Sequence, residues 1–383
     1  MRVLLIANTL PPRDISGVGE QVLQLAAGLR ERGLEVEVLG RGSGGARGPK
    51  VLFPLTVVLP VLWRLLRFRP QVVQVHESDG AFAALATVFL RRLLGPRPLL
   101  LALQQVSYLR EIQAVRPLRD QDLILGLPGR TESRFRLFKG PLQVLLGRWT
   151  SRLADRVLAP SAVTARELEE DYDVKEVAVL PNVTGGLEIP LETCAAAINE
   201  SGFLLFVGRL RLRKGVEVLF QALHRLASSH PRARLLVAGD GEHRSALEAR
   251  CVELGLQEQV RFLGRCRAGE VRELMSRASA LVVPSIYEGM PLVILEAMEA
   301  SLPVIASSVS GIPEVVGETT GWLVPAEDSE ALAKALEESL SDPQEARRRG
   351  SAGRQRLEDE FRPVHGARLW HDLVSAEIAG QKD

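Results

Sequence analysis

The chain of 383 residues alternates short, almost continuously apolar runs with longer amphipathic stretches, and this alternation restricts its fold more than any other feature. The runs Arg2–Ala7, Val72–His76 and Leu99–Leu103 each have the length of one strand, and residues 19–32 carry an apolar stripe at helical spacing. Strands that are apolar on both faces and separated by helices are typical of parallel sheets with helices on both sides. The sequence therefore predicts an α/β fold.

The alternation stops once, in residues 185–201, where Gly and Pro occur without a clear period, and it restarts with the apolar run 203–207. Domains average roughly 150 residues, so a chain of this length is expected to form two or three of them. We predict two α/β domains, residues 1–194 and residues 195–383, each with its own parallel sheet.

Composition narrows the class of protein. The net charge of +1 points neither toward nor away from nucleic acid, and no nucleic-acid partner is expected. The cysteines Cys194, Cys251 and Cys266 are odd in number and lack the spacing of metal ligands, which indicates a reduced, cytoplasmic protein. No uninterrupted apolar run reaches the ~20 residues that a membrane-spanning helix needs.

Basic residues are concentrated in the first half of the chain. Residues 40–156 contain 19 Lys and Arg but only 7 Asp and Glu, and most of the basic residues are Arg set among apolar residues. One interpretation is a surface for anionic lipid or an anionic acceptor, which would make this a peripheral protein at the cytoplasmic membrane face. The other is a set of solvated amphipathic helices whose Arg side chains cover apolar surface. Both interpretations fit the sequence.

A basic loop follows the predicted strand 203–207. Gly208 permits a close backbone approach at the turn, and Arg209 and Lys214 lie in the loop just before a helix begins near residue 216. Open parallel sheets bind ligands beyond the carboxyl ends of their strands. Cationic side chains beside the positive end of a helix therefore indicate a diphosphate site, although an exposed basic turn has the same composition.

A second cluster follows the apolar run Ala280–Val283. Glu288 lies in the loop, Pro291 is suited to the first turn of a helix, and Glu296 lies one to two turns inside that helix. Carboxylates accept hydrogen bonds from vicinal hydroxyls, so two at this offset could hold a hexose and a ribose. Taken singly, each could equally be a solvated surface residue.

Several spaced motifs occur in a fixed order: GR-x4-KG from Gly208, AGDGE from Ala238, PS-x2-EGMP-x4-EAM from Pro284, LPVIAS from Leu302 and GIPE from Gly311. Together they resemble the large retaining glycosyltransferase family called family four. The resemblance implies the GT-B fold, in which two Rossmann-like domains face each other across a cleft. It also implies a retaining hexosyltransferase that uses a UDP- or GDP-linked sugar as co-substrate and needs neither a metal nor another cofactor.

The resemblance also implies residue roles. Arg209 and Lys214 would neutralise the donor diphosphate, Glu288 would hold the donor sugar, and Glu296 the ribose. Backbone N–H groups would contact sugar or phosphate, and Arg265 would lie near the nucleobase; the backbone positions are Gly289, Met290, Leu292 and Val293.

In the first domain, Gly17 and Gly19 match a Gly-rich loop that abuts the donor phosphate in the family, and His76 falls at a strand end near the cleft. His76 is accordingly a candidate catalytic residue, although a lone His at a strand end is more often structural. The last helix, about residues 363–383, is expected to pack back on the first domain by the same analogy.

The sequence departs from the family pattern on the acceptor side. Gln104 and Gln105 stand where many relatives carry a His that approaches the acceptor, and Ser308 replaces a usual Asp. The acceptor, whether a glycan, a lipid-linked molecule or a small molecule, is therefore not identified. The Asp-x-Asp strings at Asp120 and at Asp171 lie in an irregular stretch and at a helix end, so neither is expected to bind metal.

Two other functions fit the same fold. One is a non-hydrolysing nucleotide-sugar epimerase, which would convert the donor without an acceptor. The other is a non-catalytic partner that binds nucleotide sugar without turnover.

Overall fold

The computed structural model describes residues 1–10, 17–41, 52–93, 98–114, 133–185 and 202–380. The chain divides into two compact units. The first comprises Met1–Arg110, Leu137–Gly186 and Glu360–Asp383, and the second comprises Glu111–Arg136 and Leu187–Asp359. The predicted boundary between residues 194 and 195 lies outside the described residues.

The first unit contains a parallel sheet of six strands in the order β2-β1-β3-β4-β5-β6. The strands are β1 Arg2–Ala7, β2 Glu35–Gly40, β3 Val72–His76, β4 Leu99–Leu103, β5 Arg156–Ala159 and β6 Ala178–Val179. The helices between Met1 and Gly186 are α1 Gly17–Glu31, α2 Phe53–Thr56, α3 Val58–Arg67, α4 Ala81–Leu93, α5 Tyr108–Ala114, α6 Gly140–Leu153 and α7 Ala162–Tyr172.

The second unit contains another parallel sheet of six strands, in the order β12-β11-β10-β7-β8-β9. The strands are β7 Leu204–Val207, β8 Leu235–Ala238, β9 Val260–Gly264, β10 Ala280–Val283, β11 Val304–Ser307 and β12 Gly321–Val324. The remaining helices are α8 Val216–Leu226, α9 Arg244–Glu253, α10 Ala268–Arg277, α11 Leu292–Glu299, α12 Ser329–Ser341, α13 Pro343–Glu360 and α14 Pro363–Gly380. The predicted α/β class with two parallel sheets is confirmed.

The apolar strands of the first unit pack on both faces of its sheet. In β1, Val3 and Leu5 join a core cluster on one face, whereas Leu4 and Ile6 join a cluster on the other. Successive side chains of a strand point to opposite faces, so a strand covered on both sides must be apolar at every position. This explains why the strand sequences show no alternation of polar and apolar residues.

The last helix completes one of these two faces. α14 packs so closely on α1 that a Cβ at Gly28 would overlap the carbonyl oxygen of Pro363. Trp370 of α14 is fully buried, and its Nε1 donates to Oε1 of Gln74 on β3 at 2.6 Å. The polar side chain of Gln74 in the middle of the core is thereby hydrogen-bonded by a residue from the far end of the sequence.

The replacement Trp370→Ala should lower the free energy of unfolding by about 3–5 kcal/mol, because it leaves a large cavity under the sheet. Trp370→Phe should cost about 1–3 kcal/mol, because the ring remains but Gln74 Oε1 loses its donor. Urea unfolding followed by circular dichroism measures both, with Leu369→Ala, a change at an exposed neighbouring residue, as control. A Trp370→Ala variant as stable as the Leu369→Ala variant would contradict this account of the core.

Candidate active site

The candidate site of the second unit lies at the carboxyl ends of β7 and β10. These strands are neighbours in the sheet, but the chain continues from β7 to β8 on the opposite side, so its path across the sheet reverses between β7 and β10. Open parallel sheets bind ligands at such a reversal, beyond the carboxyl ends of the strands. The two loops here are residues 208–215 and residues 284–291.

The backbones of these two loops are in contact. The N–H of Ile286 donates to the carbonyl oxygen of Arg213 at 2.8 Å. Gly215 has a left-handed conformation with φ of 65°, at the end of the 3₁₀ turn Leu212–Lys214 and at the start of α8. A Cβ at Gly215 would overlap the carbonyl oxygen of Pro284. Glycine is therefore required both by the dihedral angle and by the close approach of the loops.

This approach brings Lys214 and Glu288 into a buried ion pair. Nζ of Lys214 donates to Oε1 of Glu288, and Oγ of Ser285 donates to the same oxygen at 3.0 Å. A guanidinium nitrogen of Arg213 lies 3.5 Å from Oε2. The carboxylate, in a residue that is only 6% exposed, is therefore surrounded by three donors.

The protonation of the pair follows from burial and charge. Burial lowers the pKa of Lys214, and the attraction of Glu288 offsets this only in part. Burial also acts to raise the pKa of Glu288, but the charges of Lys214 and Arg213 and the hydrogen bonds from Lys214 and Ser285 lower it overall. Glu288 is consequently an ionised hydrogen-bond acceptor at neutral pH.

Arg209 is held by a different carboxylate, Glu242, in the loop after β8. A guanidinium nitrogen of Arg209 lies 3.2 Å from Oε2 of Glu242, and Nε of Arg211 lies 3.1 Å from Oε1. Gly241 allows this loop to touch the backbone that follows β7. Burial acts to raise the pKa of Glu242, but a hydrogen bond to its own backbone and the two guanidinium groups lower it overall. The side chain of Arg209 is 58% exposed, so it presents an oriented cation to solvent.

The other predicted donor-site residues after Glu288 lie in the same loop and in the first turns of α11: Gly289, Met290, Leu292, Val293 and Glu296. The N–H groups in the first turn of a helix have no acceptor inside the helix, which suits them to anionic ligands. Glu296 is half-buried.

Gly208 and Arg265 mark the ends of two strands. Gly208 directly follows β7 and begins the basic loop. Arg265 directly follows β9, and its side chain is 87% exposed, with Nε 4.0 Å from a carboxylate oxygen of Asp240. The structure thus brings Lys214 and Glu288 into contact, links Arg209 to Glu242, and leaves Arg265 on an exposed loop.

In the first unit, His76 lies in the core and not on an open surface. It is 1% exposed, and Nε2 lies 3.0 Å from the side-chain nitrogen of Gln74, the residue that also accepts from Trp370. Burial lowers the pKa of His76 from 6.5 to about 3, so the imidazole is neutral. A role of His76 in catalysis stays a prediction.

Two further features of the first unit concern residues singled out in the sequence. Gly17 and Gly19 begin α1, and a Cβ at Gly19 would overlap the carbonyl oxygen of Thr9, so this helix starts against the backbone that follows β1. Residues 11–16 of the same loop lie outside the described residues. Gln105 pairs with Asn182 through two amide hydrogen bonds of 3.0 and 2.9 Å, and Gln104 is fully buried.

Glu77 is a candidate site residue that the sequence does not predict. This residue directly follows β3, and its φ of 62° with ψ of 179° is a conformation that residues other than Gly rarely adopt. Its buried carboxylate accepts from the N–H of Gln105 at 2.9 Å and from the hydroxyl of Tyr108. Strained backbone of this kind concentrates at functional sites, and its position at the carboxyl end of a central strand makes Glu77 a candidate for the acceptor side. The only signal in the sequence is an acidic residue just after a strand.

The structure describes only one of the two Asp-x-Asp strings. Asp120 and Asp122 lie outside the described residues. Asp171 accepts from Ser107 Oγ at 2.5 Å and from Arg110 at 3.1 Å, so it belongs to a hydrogen-bonded ion pair at the end of α7. Elsewhere in the described ranges, no three His, Cys, Asp or Glu side chains are grouped as a metal site would require.

Two family models match separate parts of the chain. The model described as "Glycosyl transferases group 1" matches residues 195–356, and the model described as "Glycosyl transferase 4-like domain" matches residues 16–183. A 2-deoxystreptamine glucosyltransferase from Streptomyces kanamyceticus is 30% identical over 315 residues, which cover 79% of this chain and 76% of that protein.

Solved structures share the fold over nearly the whole chain. A sucrose-phosphate synthase from Thermosynechococcus elongatus matches with a TM-score of 0.76 and 22% identity, covering 99% of both chains. HepE of Anabaena, in complex with UDP-glucose, matches with a TM-score of 0.67 and 19% identity, covering 98% of this chain and 100% of that one. The predicted GT-B fold class is confirmed by these matches and by the two parallel sheets.

The contact between the two site loops makes a prediction about Gly215. Gly255→Ala, at a left-handed residue with open space around it, should lower the free energy of unfolding by about 1–2 kcal/mol, the cost of the dihedral angle. Gly215→Ala should lower the free energy of unfolding by about 2–4 kcal/mol, because the overlap with Pro284 adds to a similar cost of the dihedral angle. Urea unfolding of both variants measures the difference, and equal losses would show that the loops do not approach as described.

The burial of His76 makes a prediction about pH. Between pH 6.5 and pH 3 the unfolded chain binds a proton on His76 that the folded chain does not, so stability falls as pH falls through this window. From pH 6.5 to pH 4.5 the native chain should lose about 2 kcal/mol more than His76→Gln, a variant without the titrating group. Urea unfolding at the two pH values tests this, and parallel losses in both proteins would contradict a buried, neutral His76.

Proposed function

The chain belongs to the group 1 glycosyltransferases, and we propose that it transfers a sugar from a nucleoside-diphosphate sugar to a sugar or lipid-linked acceptor. We propose further that the transfer retains the anomeric configuration and needs no metal ion. The observation that carries this proposal is the group of Lys214, Arg209 and Glu288 at the point where the path of the chain across the second sheet reverses.

The cationic residues would act on the leaving group. When the bond between the sugar and the diphosphate breaks, negative charge accumulates on a phosphate oxygen, and fixed cations in a partly buried site stabilise it. Lys214 is fixed by Glu288, and Arg209 is fixed by Glu242, so neither cation has to be reoriented during the reaction. Two oriented cations can supply the charge that a metal supplies in other transferases, which supports independence from metal.

Glu288 would bind the sugar. Its ionised carboxylate can accept hydrogen bonds from sugar hydroxyls while it remains paired with Lys214. Glu296 on α11 is proposed to bind the ribose and Arg265 to lie beside the base. The first turn of α11 would donate N–H groups to sugar or phosphate oxygens.

Retention would follow from attack on the same face from which the diphosphate leaves. The acceptor hydroxyl gives its proton to the departing phosphate oxygen as its own oxygen bonds to the anomeric carbon. No protein base is needed in this scheme, which agrees with the burial of His76 in the core. Lys214 and Arg209 would keep the phosphate in place for the proton transfer.

The donor is proposed to be linked to UDP or GDP. The structurally similar HepE holds UDP-glucose, and the Streptomyces relative is named a glucosyltransferase, which supports a UDP-linked hexose as the first donor to test. A cytoplasmic setting beside a membrane is proposed as well, because residues 40–156 are rich in Arg and apolar residues. No helix among the described residues is long and apolar enough to span a bilayer.

Thermal unfolding with UDP-, GDP-, ADP- and dTDP-linked sugars, and with NAD as control, tests the donor site. A donor at 100 times its dissociation constant adds roughly 2.7 kcal/mol to the stability of the folded state, so one nucleotide sugar should raise the melting temperature clearly. Arg209→Ala should lose most of that shift yet melt normally without donor, because the Arg209 side chain is 58% exposed and Glu242 keeps Arg211 as a partner.

Arg347→Ala, a change at an exposed Arg on α13, is the matched control and should keep the full shift. A shift with NAD alone, or an equal shift in the Arg209→Ala variant, would contradict the assigned site. Product analysis with labelled donor then separates the functions: an isomer of the donor sugar formed without acceptor would indicate an epimerase, and binding without turnover would indicate a non-catalytic partner.

A further inference from the structure

Exposed large apolar side chains are concentrated on one group of helices in the first unit. Among the described residues, 12 of the 17 large apolar side chains that are exposed belong to this group. They are Leu52, Leu55, Leu59, Trp63 and Leu66 along α2 and α3, Leu85 and Phe89 on α4, and Leu137, Phe138, Leu142, Leu145 and Trp149 along α6 and the turn before it. A soluble monomer usually shows scattered exposed apolar residues, so this concentration needs an explanation.

The exposed residues follow the helical period and form stripes. On α2 and α3 they recur at intervals of three and four, opposite a second stripe of buried residues that includes Phe53, Val57 and Val61. From Phe138, just before α6, to Trp149 within it, the exposed apolar residues recur at the same intervals. Each helix is therefore apolar on two sides, one packed on the sheet and the other facing solvent.

The stripes are parts of one surface. α4 packs on α3 and also on α6, and the buried side chains of α3 and α4 belong to a single core cluster on one face of the sheet. The outward stripes of the three helices consequently lie beside one another. We call this surface the Trp63 face, formed by the outward side chains of α2, α3, α4 and residues 137–149.

The Trp63 face is also basic. α3, α4 and residues 137–153 contain seven Lys and Arg and no Asp or Glu. Arg64 and Arg67 lie with their guanidinium carbons 5.4 Å from the centre of the Trp63 ring, an arrangement in which an amphipathic ring and cations share one surface. Arg64 also pairs with Glu37 and Arg152 with Asp173, so some of this charge is balanced by neighbouring elements.

We infer that the Trp63 face docks on the surface of an anionic lipid bilayer, with the helices lying in the plane of the interface. Apolar stripes at helical spacing, flanked by Arg and free of carboxylates, match such a surface in both polarity and charge. A second copy of this chain fits less well, because a twofold interface would set the basic face against itself. This inference concerns the first unit only and does not depend on which donor the second unit binds.

Sedimentation with vesicles tests the inference. The protein should bind vesicles of phosphatidylcholine with about 30% phosphatidylglycerol, bind pure phosphatidylcholine at least about 10-fold more weakly, and lose binding in high salt. Leu59→Glu combined with Trp63→Glu should reduce binding to the anionic vesicles by at least about 10-fold, since it places two carboxylates in the apolar stripe. Arg67→Glu should reduce it by reversing an exposed charge without altering the stripe.

Val252→Glu on α9 is the matched control, because Val252 is 58% exposed and lies in the other unit. Circular dichroism and the donor-induced rise in melting temperature should be unchanged in the face variants, which separates a failure of docking from a failure of the donor site. Equal vesicle binding by native protein and the Leu59/Trp63 variant would overturn the inference. So would a concentration-dependent dimer that the same variant abolishes, because it would assign the face to a second copy.

Discussion

The candidate site depends on the buried contact between Lys214 and Glu288. Removing two charges from water is costly, and the cost is offset only when the pair is close and its remaining hydrogen-bonding capacity is used. Here Ser285 and Arg213 occupy positions around the carboxylate, and the backbone bond from Ile286 to Arg213 fixes the loops that carry both charges. Because the geometry is imposed by these contacts, a cation and an acceptor are held at a set separation at the carboxyl ends of β7 and β10.

In the first unit, buried polar side chains also depend on a contact with a distant part of the chain, and there the contact stabilises the core. Gln74 and His76 are polar side chains on a central strand, and Trp370 from the last helix provides the donor that makes the burial of Gln74 tolerable. Oε1 of Gln74 therefore has its donor only when α14 packs on α1. The position of His76 at a strand end favours a catalytic role, which stays a prediction, whereas its burial depends on tertiary packing that the sequence does not show.

Much of the fold could be predicted from the sequence, because strands buried on both faces are continuously apolar. β1, β3, β4 and β10 have the predicted bounds to the residue. β6 was not predicted because it has two residues, one of them exposed. β12 was not predicted because its four residues begin with Gly321 and leave too little pattern to distinguish a strand from a loop.

The sequence predicts which loops form the candidate site, but not which side chains pair within it. The rule that ligands bind at the carboxyl ends of parallel strands, together with the motifs, selects the loops of Arg209 and Glu288. The pairing of Lys214 with Glu288 depends on an approach between residues 74 positions apart, and the link from Arg209 to Glu242 on one between residues 33 apart. The left-handed backbone of Glu77 has no local signature, since its neighbours in the tertiary structure hold it there.

The Trp63 face shows how a feature that folding does not require can be recognised. The inward stripe of α2 and α3, with Phe53, Val57 and Val61, is sufficient to attach these helices to the sheet. The outward Leu59 and Trp63 add nothing to that packing, and their exposure to water is unfavourable for solubility. On the other face of the same sheet, α14 exposes the charged residues Arg368 and Asp372 together with Val364 and Leu369. A second apolar stripe, on helices that carry Arg and Lys but no carboxylates of their own, is explained by a second environment that is both apolar and anionic.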